Sequence, residues 1–386
     1  MKKILIVNNN LHIGGVQKAL IGLLWGIRER YDITLLLFYP GGAYLDQIPP
    51  EVKVITAAGT YRYIGMTKND TDLWKDKLGR AFFGTLARIC GRHYALFLMG
   101  LGQKQLEGYD VAISYLHSGG QKAFYGGCNE FVLRHVRAAK KVTFLHCDYG
   151  ACGANTQKNA ALYEKFDSIA ACSEGCARAF KKCLPNLADR VQVVENCHRF
   201  DRIQAMAEAA PVSFSRDRIH IVTVARLGEE KGVDRALQVI AKLQTKTPYC
   251  YHIIGGGQQE SMLRQFVEEK NLSRQVRFYG LQENPYGYMQ AADLLWIPSR
   301  SEAAPMVIGE AAFLETPILS TETSSAREMI EKTGYGWVCE NSEQGMLKSL
   351  QTLLETPSII KQEKKRMEID NRSALDAFAA CVDENS

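Results

Sequence analysis

Several absences narrow the problem before any motif is read. No stretch approaches the roughly 20 uninterrupted apolar residues that cross a bilayer. Hydrophobic residues make up 46% and charged residues 23%, the balance of an ordinary soluble globular chain. The opening run Lys2–Val7 looks superficially like a signal peptide, but Asn8-Asn9-Asn10 ends it after four apolar residues, so a cytoplasmic strand is expected there. Nucleotide fingerprints are missing too. Asn8–Gly15 does not read G-x-G-x-x-G, Gly255-Gly256-Gly257-Gln258-Gln259-Glu260 lacks the third glycine, and G-K-[ST] is absent. An NAD enzyme and a P-loop ATPase both lose ground. The eleven cysteines show no standard zinc spacing: Cys147-x4-Cys152 and Cys172-x3-Cys176 fit none. Buried, reduced thiols are expected instead.

What is present is asymmetric. Residues 1–200 hold 26 Lys+Arg against 16 Asp+Glu, a formal +10, and residues 201–386 hold 21 against 26, a formal −5. The basic half favours an anionic partner or surface. Nucleic acid is not among the expected partners.

The two halves begin alike. KILIVNNNLHIGGVQKAL at 3–20 and RIHIVTVARLGEEKGVDRAL at 218–237 each run from a β-branched-rich stretch through a glycine loop into a helical pattern. A buried parallel strand turning into a helix explains both. Further strands are expected at Ile33–Phe38, Val111–Tyr115, Val142–His146, Ser168–Ala171, Val191–Glu195, Tyr251–Ile254, Val276–Tyr279, Leu294–Ile297 and Pro317–Leu319. With helical patterns between most of them, the chain reads as α/β: two doubly wound Rossmann-like domains facing each other. The first spans 1–200 and the second 201–365, with a helix from about 366 to 386 able to pack back on the first. The 386 residues suit two cores better than one.

Ligands of such folds bind beyond the carboxyl ends of the strands, so chemistry is sought in those loops. Arg226 and Lys231 stand in VARLGEEKG, between a strand and a helix. A guanidinium fork and an ammonium near a helix start make a diphosphate clamp, or else a pair of solvated cations. Glu302 and Glu310 bracket the apolar stretch AAPMVIG, with Pro305 expected at the first helical position. Eight residues of helix span about 12 Å, too far for a glycosidase pair at about 5–9.5 Å. Two grips on one extended ligand rich in hydroxyls is the better chemistry. Asp70-Thr71-Asp72 reads as a solvated turn rather than a metal motif, since no strand follows it.

The order of these motifs resembles the family-4 retaining glycosyltransferases of the GT-B fold. A glycine loop follows the first strand, then come R-x4-K-G, G-G-G, E-x7-E, and Ser325-Ala326-Arg327-Glu328. The resemblance implies that Arg226 and Lys231 hold the donor diphosphate. Glu302 would meet the transferred sugar, Glu310 the ribose, and the amides of Met306 and Val307 the donor phosphates and sugar. Gly15 would let the phosphates approach the first-half loop, and His146 would stand at the reacting sugar. A nucleotide-sugar donor, with a UDP-sugar expected, a glycan or lipid-linked acceptor and no metal cofactor follow from the same likeness. So do front-face attack by the acceptor and no protein nucleophile. EAAPMV is similar to enzymes of bacterial capsular and cell-surface glycans. A sugar-nucleotide or glycan-binding protein without turnover, or a GT-B-shaped epimerase or phosphorylase, are the alternatives. The family carries glycine where this chain has Ala303 and Glu315, and near Ser325, so the sugar loop has less backbone freedom here.

Between Tyr61 and Lys104, eight Lys+Arg meet three acids. At helical period Leu78, Phe82, Phe83, Leu86, Ile89 and Cys90 fall on one side, and Lys77, Arg80, Arg88 and Arg92 on the other. Gly79 and Gly84 interrupt the pattern. This is a membrane-surface helix, placing a cytoplasmic protein on the inner face of the cell membrane, or a helix packed on the first sheet.

Overall fold

The computed structural model describes residues 1–67, 70–71, 73–361 and 369–383. Two sheets, parallel at every described strand pair, carry it. The first comprises β1 (Lys2–Asn8), β2 (Tyr31–Leu37), β3 (Lys53–Thr56), β4 (Leu106–Ser114), β5 (Val136–Leu145), β6 (Ser168–Ala171) and β7 (Val191–Val193), in the order β3-β2-β1-β4-β5-β6-β7. The second comprises β8 (Ile219–Val224), β9 (Tyr249–Ile254), β10 (Val276–Gly280), β11 (Leu294–Ile297), β12 (Ile318–Thr321) and β13 (Gly336–Cys339), in the order β10-β9-β8-β11-β12-β13. Each sheet with its helices is a Rossmann-like domain. In both, the strand order reverses at one point, β1/β4 in the first and β8/β11 in the second.

Burial on both faces explains why these strands read as continuous apolar runs. Ile4 and Ile6 join one core of the first sheet and Leu5 and Val7 the other. Ile221 and Val222 divide in the same way in the second. The strands β3 and β13 escaped sequence reading because they are four-residue elements, mostly exposed (KVIT) or half-buried (GWVC). The strands β4 and β5 start earlier than expected, at Leu106 and Val136, because their first halves are mostly polar or exposed and their continuous buried runs are the last four residues.

One compact unit is Met1–His198 together with the chain from Asn371 onward; the other is Arg199–Asp370. The chain's two passages between them are stitched together. Asn371 Nδ2 donates to His198 O at 2.7 Å and its Oδ1 accepts from His198 N at 2.8 Å. Residues 362–368 and 384–386 lie outside the described residues, and with them the expected helix start near 366. The helix Arg372–Asp383 is less polar in effect than its composition suggests. It buries Ala374, Phe378, Cys381 and Val382 in the first unit's core, while Asp383 pairs with Lys2 at 3.1 Å and Arg30 at 2.8 Å.

The basic stretch 61–104 departs from its expected form. Gly91, at φ 90°, breaks it into Trp74–Cys90 and Arg92–Met99. Arg92 does not face solvent with Arg88; it is buried, 2.8 Å from Glu130. Arg80 is half-buried and donates to the Tyr63 and Met66 carbonyls. Phe83 turns inward, whereas Leu78, Phe82 and Ile89 stay exposed. Asp70 accepts from Thr67 N at 2.6 Å and meets His12 at 2.8 Å, while Asp72 lies outside the described residues.

A buried polar chain crosses one side of the second sheet. His220 Nε2 is 2.9 Å from Ser215 O, a carbonyl that only accepts, so this nitrogen carries the proton. His220 Nδ1 then accepts from His252 Nε2 at 2.9 Å, and His252 Nδ1 accepts from Tyr279 Oη at 2.9 Å. Phe214 stacks on both imidazoles. Every nitrogen is committed with both rings neutral. Burial, with His220 and Arg277 adding to it, pushes His252 from 6.5 down to about 4. An unfolded chain takes up this proton near pH 6.5 and the folded one only near 4. The stabilisation is therefore complete above 6.5 and lost as pH falls toward 4. Urea unfolding across this window should show a stability slope that His252→Asn flattens by up to about 1.4 kcal/mol per pH unit. An unchanged slope in that variant contradicts the relay.

Candidate active site

In the second unit the strand β8 runs beside β11, with Ile221 opposite Leu294 and Val222 opposite Leu295. Their carboxyl-end loops, 225–232 and 298–305, therefore lie side by side at the point where strand order reverses, the place where open α/β sheets leave a crevice. Gly232 sits at φ 65°, and a Cβ there would come within 2.1 Å of Pro298 O. Gly255, at φ 142°, would collide with Ala225 O at 1.8 Å. Only glycine permits both approaches.

The loops meet through side chains as well. Lys231 Nζ is 2.6 Å from Glu302 Oε1, and Ser299 Oγ donates to the same oxygen at 2.7 Å. Lys231, Glu302, Ser299 and Val307 line one pocket with Thr223–Ala225 and Trp296–Pro298. Of the two expected cations, Lys231 is therefore no solvated surface charge. Arg226 pairs with Glu230, at 2.6 Å, and remains 75% exposed. Arg226 is not among the pocket-lining residues.

The loop after β11 is held from outside. Arg300 binds Asp234 through both guanidinium nitrogens at 2.7 and 2.6 Å, and donates to Glu229 O at 2.7 Å. Asn341 Nδ2 donates to the Arg300 and Glu322 carbonyls at 3.0 and 2.8 Å. Ser325 Oγ donates to Ala303 O. Pro305 is the N-cap of the helix Met306–Phe313, one position earlier than expected, so Met306 and Val307 open its first turn. Their amides have no acceptor inside the helix. Glu310, 2% exposed, is no helix-surface charge, though it does not line the pocket. Glu315 adopts φ 60°, the conformation that the resemblance filled with glycine.

The first unit carries the other expected residues. Gly15 opens the helix Gly15–Ile27 after β1. His146 directly follows β5, packed against Tyr115 at 4.8 Å between ring centroids. Burial, then His117, pushes His146 from 6.5 down to about 3, and burial and Arg92 push His117 down to about 4. Both imidazoles are neutral at physiological pH. His146 Nε2 and His117 Nδ1 are buried without a hydrogen-bond partner, an arrangement that costs free energy unless something else supplies a partner.

Sequence reasoning missed Ser299, Asp234, Asn341 and His117. Ser299 stood three residues before Glu302 and could have been read as its hydroxyl partner. Nothing local marked Asp234 or Asn341, which reach the loop from 66 and 41 positions away.

The comparisons fit this geometry. The family model for glycosyl transferases group 1 matches residues 207–374, which is most of the second unit. Over 141 residues, 33% of this chain and 35% of the relative, the chain is 30% identical to the amylovoran biosynthesis glycosyltransferase AmsK of Erwinia amylovora. Over 148 residues, 38% of this chain and 40% of the relative, it is 30% identical to a Campylobacter jejuni enzyme. That enzyme is the N-acetylgalactosamine-N,N'-diacetylbacillosaminyl-diphospho-undecaprenol 4-alpha-N-acetylgalactosaminyltransferase. The chain matches less than half the length of the curated relatives. The fold extends further: Anabaena HepE, crystallised with UDP, superimposes at TM-score 0.65 over 99% of this chain and 100% of that one, at 16% identity.

The Arg300–Asp234 fork is the strut of the loop after β11. Asp234→Asn should lower the unfolding free energy of the second unit by about 1 kcal/mol and raise amide exchange in 299–305. Exchange identical to wild type shows that the loop stands without it.

Proposed function

We propose that this chain is a retaining glycosyltransferase that moves a sugar from a nucleoside diphosphate, with UDP expected, to a glycan or lipid-linked acceptor in bacterial surface polysaccharide synthesis. The observation that carries this reading is the Lys231–Glu302 pair lining a pocket at the β8/β11 reversal. An ammonium has three donors. One serves Glu302, leaving the others for a diphosphate oxygen. Glu302 has a second oxygen for a sugar hydroxyl. The hard step is departure of the sugar, which loads negative charge on the diphosphate. Preorganised cations and first-turn amides of Met306 and Val307 stabilise that charge more in the transition state than before it. Arg226, exposed at the rim, adds to the clamp, and Glu310 serves the ribose. Neutral His146 serves as a hydrogen-bond partner at the reacting sugar, Gly15 lets the phosphates approach, and the acceptor attacks from the leaving-group face. With charge supplied by the side chains, the reaction proceeds without metal. Relatives named for amylovoran biosynthesis and for a diphospho-undecaprenol substrate, and HepE crystallised with UDP-glucose, support the substrate class.

The reading includes docking on an anionic membrane at the cytoplasmic face, where a lipid-linked acceptor is presented. On the helix Trp74–Cys90 the side chains of Trp74, Leu78, Phe82 and Ile89 are 59–76% exposed, and steps of four, four and seven residues place them on one stripe. Lys75, Lys77 and Arg88 beside them are exposed. The helix's single acid, Asp76, is buried and paired with Arg62. An exposed apolar stripe flanked only by cations matches a negatively charged lipid surface. No described helix is long and apolar enough to cross a membrane.

Transfer of label from UDP-sugars to lipid and glycan acceptors, in EDTA, tests the chemistry. Lys231→Ala should cut turnover by about tenfold or more, Arg226→Ala by less, and Glu302→Gln should damage transfer. Glu310→Gln should mainly weaken UDP binding. Unchanged turnover in the Lys231 and Glu302 variants rejects the site, and loss in EDTA restored by manganese rejects metal independence.

Vesicle flotation tests the surface. Binding to anionic liposomes should vanish when Lys75, Lys77 and Arg88 become glutamate, with far-UV circular dichroism unchanged. Absence of binding at low salt leaves the stripe to another partner.

A further inference from the structure

The loop that follows β5 carries a feature that glycosyl transfer does not use. Cys147 comes directly after His146, and the turn behind it is tightly organised. Asp148 Oδ1 accepts from Gly150 N at 3.1 Å and Ala151 N at 3.0 Å, and Cys152 N donates to Asp148 O at 2.9 Å. This coil brings Cys152 back over Cys147, with the two sulfurs 3.3 Å apart. The pair is asymmetric: Cys147 is 8% exposed and Cys152 lies open on the surface. A second close pair, Cys172 and Cys176 at 3.7 Å, is fully buried, beyond reach of a solution oxidant. Among the described residues, no three His, Cys, Asp or Glu groups assemble as a metal site, so the thiols around this turn are not a zinc cradle.

We propose that Cys147 and Cys152 form an oxidation site at which hydrogen peroxide closes a disulfide. The chemistry divides as the exposure does. The hydrogen bond from Cys147 and the Ala154 amide together outweigh burial and draw Cys152 from 9 down to about 7, whereas Cys147 is held well above the ordinary thiol range. Cys152 is then the attacking thiolate. Its sulfur takes the terminal peroxide oxygen, the O–O bond breaks, and the departing hydroxide is protonated to water. The resulting sulfenic acid is attacked by Cys147 sulfur. The S–O bond breaks, a second water leaves with the Cys147 proton, and the S–S bond forms. Two thiols and one peroxide become one disulfide and two waters. The sulfurs must approach by about 1.3 Å to reach bonding distance near 2.05 Å. On the reading given above for His146, the closed loop changes the setting of that imidazole, and transfer activity falls with oxidation.

Both cysteines, and no others, lie in the tryptic peptide 142–158, so the test reads the site without any activity. The full chain is treated with hydrogen peroxide, quenched in acid, unfolded, alkylated and digested. The expected peptide carries no alkyl group, is two hydrogens lighter, and regains both alkylation sites after dithiothreitol. Cys147→Ser should stop at a Cys152 sulfenic acid trapped by dimedone, and Cys152→Ser should leave Cys147 alkylatable. The proposal falls if wild-type 142–158 stays doubly alkylated, if Cys172 and Cys176 oxidise first, or if Cys152→Ser loses Cys147 alkylation as fast as wild type does. A disulfide that forms without changing transfer leaves the oxidation site intact and removes only its link to His146.

Discussion

The site depends on one constraint, the adjacency of β8 and β11 where the second sheet reverses its order. Parallel pairing forces both loops to emerge on the same edge. Side by side, they put an ammonium from one and a carboxylate from the other within 2.6 Å. Without that reversal Lys231 and Glu302, 71 residues apart, have no reason to meet. Gly232 is the steric counterpart of this constraint, since any side chain there would drive into Pro298 O.

The pair also sets the site's electrostatics. Lys231 and Glu302 cancel formally, as do Arg226 and Glu230, so the pocket offers directed donors rather than a bare positive field. That favours orientation over loose capture. On the function proposed above, it suits a reaction whose difficulty is charge developing at one defined oxygen. The partial burial of Lys231 and Glu302, with side chains 25% and 11% exposed, strengthens each hydrogen bond relative to water. Behind them, Ser299, Arg300, Asp234 and Asn341 hold the carboxylate's loop, so its position is inherited from packing and not from the loop's own sequence.

The first unit shows where periodicity misleads. Helical spacing grouped Arg92 with Arg80 and Arg88 as a solvated face, yet Arg92 is buried against Glu130 and Arg80 is spent on two backbone carbonyls. Spacing reports which residues share a side of one helix. It cannot say that Gly91 breaks the helix, nor which charges find partners on other elements. The apolar stripe fared differently: Leu78, Phe82 and Ile89 do share a face, and that face is exposed.

Local order made much of the fold legible. Buried parallel strands must be apolar throughout, and the glycine loops after β1 and β8 mark strand-to-helix turns, so the α/β class and its two-sheet organisation could be read directly. The spacing of Glu302 and Glu310 across Pro305 likewise placed one acid in a loop and the other on a helix. Edge strands such as β3 and β13 left no trace, because four half-exposed residues carry too little apolar signal. Tertiary structure alone decided the partnerships: Lys231 with Glu302, Asp234 with Arg300, Asn371 with His198. These contacts arise from how strands are ordered and how the chain returns on itself, and pairing over such distances has no local energetic signature in the sequence.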